Sequence, residues 1–193
     1  MTLWETAREA YREALPALLA SLAGGLLAGV VLSGMRAELR DVAGLLVLVP
    51  ALLATRGNVY GSLGARLSTA LHQGLVEPRV RGGDERLRAA VAAALANGLL
   101  ASAFAAVAVF GILRALGSPV APLGTLVAIA LVAGLLSGIA LTAVVVTVVF
   151  AGYRRGRDPD TLVGPLVTTT GDVFGVFFLL ASVRLVLFVG GVV

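Results

Sequence analysis

One carboxylate stands alone in an apolar stretch of this sequence, GPLVTTTGDVFGVFFLLASV, at residues 164–183. Asp172 lies near its middle, and no Lys, Arg or His falls within ten residues on either side. A charged side chain at the centre of a membrane helix costs roughly 2.5–3.5 kcal/mol on insertion scales. We therefore expect the protein either to use this group or to compensate its charge.

Three kinds of chemistry could account for Asp172. As a structural group it would hydrogen-bond to Asn97 or to a threonine of another span. As a proton-coupling group it would take up and release a proton within the span. As a cation site it would stay ionised beside the charge of the ion. Thr168 lies one helical turn earlier, and oxygen ligands suit a hard cation better than zinc or copper.

The composition places this chemistry in a membrane. Hydrophobic residues make up 59% of the 193 positions, charged residues only 13%, and the mean hydropathy is +0.99. The chain has no cysteine and shows no Ser/His/Asp set, paired carboxylates or phosphate-binding loop, so we expect no enzyme. Although the pI is near 10.6, the arginines are scattered between apolar segments, which argues against a nucleic-acid partner.

Five apolar stretches predict an all-α integral membrane protein with five transmembrane helices in a lipid bilayer. They cover residues 15–33, 41–55, 89–113, 123–151 and 165–191. Residues 1–14 combine apolar and charged positions at helical spacing, which predicts a short amphipathic helix at the membrane interface. The transmembrane domain is then expected at 15–193.

A polar stripe follows the second apolar stretch. It consists of Asn58, Ser62, Arg66, Thr69 and Gln73, which recur at helical spacing and so share one face. At membrane depth this face would contact water or a partner helix; in a cytoplasmic extension of the helix it would be solvated. Gly57 and Asn58 predict a break or a point of close approach.

Arginine placement predicts the orientation in the cell membrane. Nine arginines fall in the N-terminal segment and in the loops at 77–88 and 152–158, whereas Arg36, Arg40 and Arg114 lie on the other side. Positive charge accumulates on the cytoplasmic side of membrane proteins. We therefore expect a cytoplasmic N-terminus and an extracytoplasmic C-terminus.

Two motifs resemble one known family. The run DPDTLVGPLVTTTGD is similar to the last-span signature of MgtE magnesium channels, and its matching residues are Asp158, Pro159, Gly164, Pro165, Thr168, Thr169 and Asp172. The run VPALLATRGNVYGSLGARLSTALHQG, from Val49, resembles the Pro-then-Gly-Asn segment of that family. Its Arg-Leu-Ser-Thr at 66–69 resembles the related solute-carrier magnesium transporters more closely.

The resemblance implies a magnesium channel or transporter built as a twofold homodimer. Solute-carrier relatives fuse two five-helix halves, whereas this chain supplies one. A second copy is therefore the simplest partner, and a second, different half-length chain is the alternative. Asp172 of each copy is expected to face the dimer axis and hold hydrated Mg²⁺, the transported ion, and other divalent cations could compete for this site. Asn58, Thr168 and Thr169 are expected as further residues of the metal site. Mg²⁺ gives up water reluctantly and is usually bound through one or two carboxylates, which fits a pair of Asp172 side chains.

A non-conducting helical scaffold or assembly protein is the alternative function. Asp172 would then be a buried packing hydrogen bond, and Asp172→Asn would change little except stability. In a cation path the same substitution would abolish transport in a protein that still folds.

Overall fold

The computed structural model describes residues 3–79, 84–156 and 159–190, and these residues form an all-helical chain. Side chains are described throughout these ranges except at several positions between 3 and 17 and at 159–163, 165 and 166. The helices are α1 Leu3–Gly34, α2 Arg36–Asp41, α3 Leu45–His72, α4 Glu85–Ala115, α5 Leu123–Arg154 and α6 Pro159–Val189.

Within the described ranges, four stretches of helix are long and apolar enough to cross a membrane: Leu45–His72, Glu85–Ala115, Leu123–Arg154 and Val167–Val189. The apolar part of α1, Leu18–Gly34, is shorter. Its exposed side chains are nevertheless large and apolar: Leu18, Leu19, Leu22, Leu26, Leu27 and Val30. The structure thus supports a multi-pass helical protein, and the fifth span, through α1, stays a prediction.

Helix α1 runs without interruption through residues 14 and 15, where the sequence predicts the change from interfacial helix to span. Residues 1 and 2 lie outside the described part of the chain. The described aromatic and basic side chains of the N-terminal half, Trp4, Arg8, Tyr11 and Arg12, are exposed. One helix can serve both environments, so the division into 1–14 and 15–193 stays a prediction.

Helix α3 is much longer than the predicted second span at 41–55. It continues for 28 residues through the polar stripe as far as Thr69, and Gln73 is its C-cap. The expected break at Gly57 and Asn58 is wrong, and a Cβ atom at Gly57 would have no neighbour within 4 Å. One glycine in a helix costs only about 1 kcal/mol. Burial of the following apolar face compensates for it, through Tyr60, Leu63, Leu67 and Leu71.

Helix α5 is the centre of the bundle, since it packs against α3, α4 and α6 and 56% of its most apolar stretch is buried. Helix α6 also packs against α1 and α3. Among the described residues, α1 and α3 make little contact with each other. The surface of α6 that lies between α1 and α3 is therefore not closed off by contact between these two helices.

Two apolar clusters fill the bundle, one toward each end. The cluster near α2 contains Leu45, Leu48, Val49 and Leu52 of α3 with Val176, Leu179 and Val183 of α6. The other contains Tyr60, Leu63, Leu67 and Leu71 of α3 with Val145 and Val149 of α5 and Val167 of α6. Neither has a buried member between Leu52 and Tyr60 or between Val167 and Val176. A separate layer thus crosses the bundle at mid-height.

Candidate cation site

Among the described polar side chains at this mid-height level, four are considered together, one from each of the helices α3 to α6. They are Arg56, Ser102, Ser137 and Asp172, and we refer to them as the polar layer. Each falls between the residues that its helix contributes to the two apolar clusters. The fold therefore places one of these polar side chains from each of four spans between the two apolar clusters.

The two serines of the polar layer are satisfied by their own helices. Ser102 Oγ donates to the carbonyl of Gly98 at 2.7 Å, and Ser137 Oγ donates to the carbonyl of Ala133. Such bonds to the preceding turn let a hydroxyl be buried without a partner from another helix. The charged members, Arg56 and Asp172, cannot be satisfied in this way.

Asp172 is half-buried on α6. The ion pairs in the described part of the chain, Arg79–Glu77 and Arg184–Glu38, do not involve it. Its carboxylate has no hydrogen-bond partner among the described residues, so the bond to Asn97 considered for a structural role is not seen. An unpaired carboxylate at this depth is available to a ligand.

The two predicted threonines of α6 face different surroundings. Thr168 is exposed one turn before Asp172, and its hydroxyl donates to the carbonyl of Gly164 at 2.9 Å. Thr169 contacts α1, where its Oγ1 lies 3.1 Å from Ser21 Oγ. A Cβ atom at Gly24 would collide with the Thr169 side chain. Thr168 thus shares the open side of α6 with Asp172, whereas Thr169 holds α6 against α1.

Asn58 lies elsewhere. It lines a groove of about 370 Å³ between α3 and α4, together with Ser62 and Arg66 of the polar stripe and Asn97. The first part of the polar stripe, from Asn58 to Arg66, therefore faces a groove beside a neighbouring helix. Arg56, two residues before Asn58, packs against α6, and two residues turn a helix by about 200°. Within one protomer the structure does not bring Asn58 to Asp172.

Arg56 is a charged residue for which the sequence patterns predict no role. Its side chain is 4% exposed, and none of its three guanidinium nitrogens has a hydrogen-bond partner in the described part of the chain. A Cβ atom at Gly175 would lie 2.6 Å from Arg56 Nη1, so the guanidinium rests on the backbone of α6. Helical periodicity could have revealed this burial, since Arg56 continues the buried series Leu45, Leu48, Val49 and Leu52 and precedes Tyr60 and Leu63.

Arg184 has a partner near the end of α6. Its Nε donates to Glu38 Oε1 at 2.8 Å, with Glu38 buried on α2 and Arg184 exposed. This bond, followed by one from the backbone N–H of Glu38, holds the pKa of that carboxyl below its usual range. This pair could not be predicted from the sequence, because nothing in the pattern connects Arg184 with a residue 146 positions earlier.

The donor set suits an ion that keeps its own water. The described residues contain no group of three or more His, Cys, Asp or Glu side chains that could enclose a metal. Asp172 and Thr168 provide oxygen atoms on an open surface of α6. Mg²⁺ is commonly bound in this way, through one or two carboxylates and retained waters.

Sequence comparisons lead to the same class of protein. Solute carrier family 41 member 3 of Rattus norvegicus is 28% identical over 173 residues, which are 83% of this chain but only 35% of that protein. Residues 49–182 match the MgtE family, described as a divalent cation transporter, and this range contains the complete polar layer. Since the match covers more than half of the chain and confirms the resemblance seen in the motifs, this multi-pass membrane protein belongs to the MgtE family of divalent cation transporters.

Proposed function

We propose that the protein conducts Mg²⁺ along the twofold axis of a homodimer, with Asp172 of both copies holding the hydrated ion. The observation that carries this proposal is the half-buried, unpartnered carboxylate of Asp172 on an open surface of α6. Every other described acidic side chain lies outside the four membrane-spanning stretches or at the first residue of one: Glu38, Asp41, Glu77, Asp84 and Glu85.

The need for a second copy follows from the number of carboxylates. One Asp172 neutralises half the charge of a divalent cation, and the described residues provide no other acid at that depth. A twofold axis beside α6 would bring two Asp172 side chains to one ion. Divalent cations held by carboxylates and water are bound weakly enough to pass on, as conduction requires.

The remaining predicted site residues take separate parts in this proposal. Thr168 supports the ion path directly, because its exposed hydroxyl can accept a hydrogen bond from a water of the hydrated ion. Thr169 supports it by fixing α6 on α1. Asn58 is exposed on α3. It would line the ion path only if a second copy packed against that side of α3. Helix α1 crosses the membrane as well, which brings the number of spans to five. The N-terminus lies in the cytoplasm, so one end of the ion path opens to the cytoplasm and the other opens outside the cell.

Mg²⁺ flux into proteoliposomes tests the proposal. Asp172→Asn removes the charge and keeps the shape of the side chain, so flux should fall by about tenfold or more, as for loss of a metal-supporting residue. Asp41→Asn is the matched control, since Asp41 is exposed at the end of α2 and lies outside the spans. Its flux should equal that of the wild type.

Two outcomes would contradict this function. Equal flux in wild type and Asp172→Asn would place the ion path elsewhere. No flux from a folded, dimeric wild type would instead favour the scaffold function, in which Asp172 serves packing alone. Both proteins must first elute as the same folded species in detergent.

A further inference from the structure

Arg56 needs an anionic partner. Its guanidinium is almost completely buried in the middle of α3, and its three nitrogens donate to no described group. Arginine cannot lose its proton under ordinary conditions. A permanent charge in such a place is paired in stable membrane proteins, usually with a carboxylate of another helix.

Asp172 is the carboxylate nearest to Arg56 along α6. The guanidinium packs on Gly175, with Nη1 at 2.6 Å and Cζ at 3.7 Å from the position of a Cβ atom there. Asp172 precedes Gly175 by three residues, and side chains three apart on a helix are neighbours about 5–6 Å apart at Cβ. Both residues belong to the polar layer, and neither has a partner in the described part of the chain.

Gly175, on which the guanidinium packs, and Asp172 belong to one turn of α6, and the two charges are not joined in this structure. Helical side chains tilt toward the N-terminus, so the Asp172 carboxylate leans away from Gly175. The Arg56 side chain has rotatable bonds along its whole length. Rotation about these bonds is the movement that would carry the guanidinium from Gly175 toward Asp172.

We propose that Arg56 is the counter-ion of Asp172 when no divalent cation is bound, so that an arriving cation and the guanidinium compete for the same carboxylate. This inference rests on the proposed function. In a homodimer, two arginines would neutralise two aspartates in the ion-free state, and a divalent cation would displace both guanidinium groups. The competition lowers the affinity for the ion and helps it to leave, which conduction requires.

The experiment compares Arg56→Gln, Arg56→Lys and Arg66→Gln with the wild type. Two quantities are measured. The first is the Mg²⁺ concentration that gives half of the maximal rise in unfolding temperature in detergent. The second is the Mg²⁺ concentration that half-saturates flux in proteoliposomes. Arg56→Gln removes the competing charge, so both concentrations should fall by about tenfold, the scale on which a nearby charge changes ion binding to a carboxylate. Arg56→Lys keeps the charge and should stay near the wild type. Arg66→Gln is the matched control, because Arg66 is an exposed arginine of the same helix.

Unchanged or weaker Mg²⁺ binding in Arg56→Gln would overturn the inference and leave the proposed function intact, provided that wild-type flux still depends on Asp172. A wild type without Mg²⁺ flux would refute the proposed function itself.

If Arg56→Gln is too unstable to measure, the double variant Arg56→Gln with Asp172→Asn tests the pairing of the two charges. Removing both charges should restore stability in Mg²⁺-free buffer if each charge compensates the other. A double variant as unstable as the single one would overturn the pairing, since Arg56 would then serve the fold independently of Asp172.

Discussion

The charged side chains in the spans differ in whether they have a partner of opposite charge. Arg184 reaches a buried carboxylate of α2, whereas Arg56 and Asp172 remain unpaired at mid-height. A pair that is made in every state would hold the helices together. Charges left unpaired in one state can instead exchange partners when an ion enters. At the residue level, the structure thus contrasts the formed Glu38–Arg184 contact with the unpaired charges of the proposed ion site.

The Glu38–Arg184 contact predicts a pH dependence of stability. Because the hydrogen bond from Arg184 lowers the pKa of Glu38 in the folded protein, ionised Glu38 adds stability above its unfolded pKa. That contribution is lost as the pH falls through the folded-state value. Glu38→Gln should be less stable at neutral pH by about 1 kcal/mol or less, and its stability should fall less steeply in acid.

Thermal unfolding in detergent, followed from neutral pH into the acid range, measures this difference. Glu77→Gln is the control, since Glu77 forms a more exposed pair with Arg79 at 3.6 Å. Identical acid profiles for the wild type and Glu38→Gln would show that the contact contributes nothing.

At the scale of helices, Tyr60 joins three elements. Its ring is buried between α4 and α5, where its hydroxyl faces Gly98 and Gly138. A Cβ atom at Gly98 would lie 2.7 Å from Tyr60 Oη, and one at Gly138 would lie closer still. Small residues at these positions let the three helices approach, as is common in membrane bundles.

Gly138→Ala should therefore destabilise the protein by about 1–3 kcal/mol through overpacking. Tyr60→Phe removes a buried hydroxyl that has no partner among the described residues, so alone it should be neutral or stabilising. Combined with Gly138→Ala, it should recover much of the lost stability, because the colliding atom is absent. Thermal unfolding of the three variants in detergent measures these changes.

Gly25→Ala is the matched control for this series, since a Cβ atom there meets nothing within 4 Å. It should be neutral or slightly stabilising, as expected for alanine in a helix. Wild-type stability in Gly138→Ala would contradict the close packing around Tyr60.

Helix positions could be predicted from the sequence where hydrophobicity alone decides them. The predicted spans at 89–113 and 123–151 correspond closely to α4 Glu85–Ala115 and α5 Leu123–Arg154. The length of α3 could not be predicted in this way, because its polar stripe faces a groove beside α4 and does not end the helix. Asp172 could be singled out because it is an acid in an apolar run. The burial of Arg56 follows the helical periodicity of α3, but its contact with Gly175 could not be predicted, since it depends on which side of α3 meets α6.

At the scale of the whole molecule, the polar layer separates the two apolar clusters along the length of the bundle. The clusters hold each end of the bundle, while the layer gathers the polar groups of four spans. In the proposed homodimer, a second copy would complete the open surface of α6 at that level. A homodimer with its axis beside α6 is thus the arrangement on which the proposed path depends.

Cross-linking tests where that axis lies. The chain contains no cysteine, so a single introduced thiol reports on its own surroundings. Two Asp172 carboxylates that share one hydrated ion must lie close to the axis, and Thr168, one turn earlier and exposed, should lie close to it too. Thr168→Cys in native membranes should form a covalent dimer with a short bismaleimide.

Phe104→Cys provides the comparison at a site that should face lipid, because Phe104 is 74% exposed on α4 and is apolar. Its thiol should react with a monofunctional maleimide but yield little covalent dimer, since two α4 surfaces would lie far from the axis. Efficient dimer formation through Phe104→Cys and none through Thr168→Cys would move the interface to α4. The two Asp172 side chains could not then share an ion, and both the axial path and the competition with Arg56 would have to be abandoned.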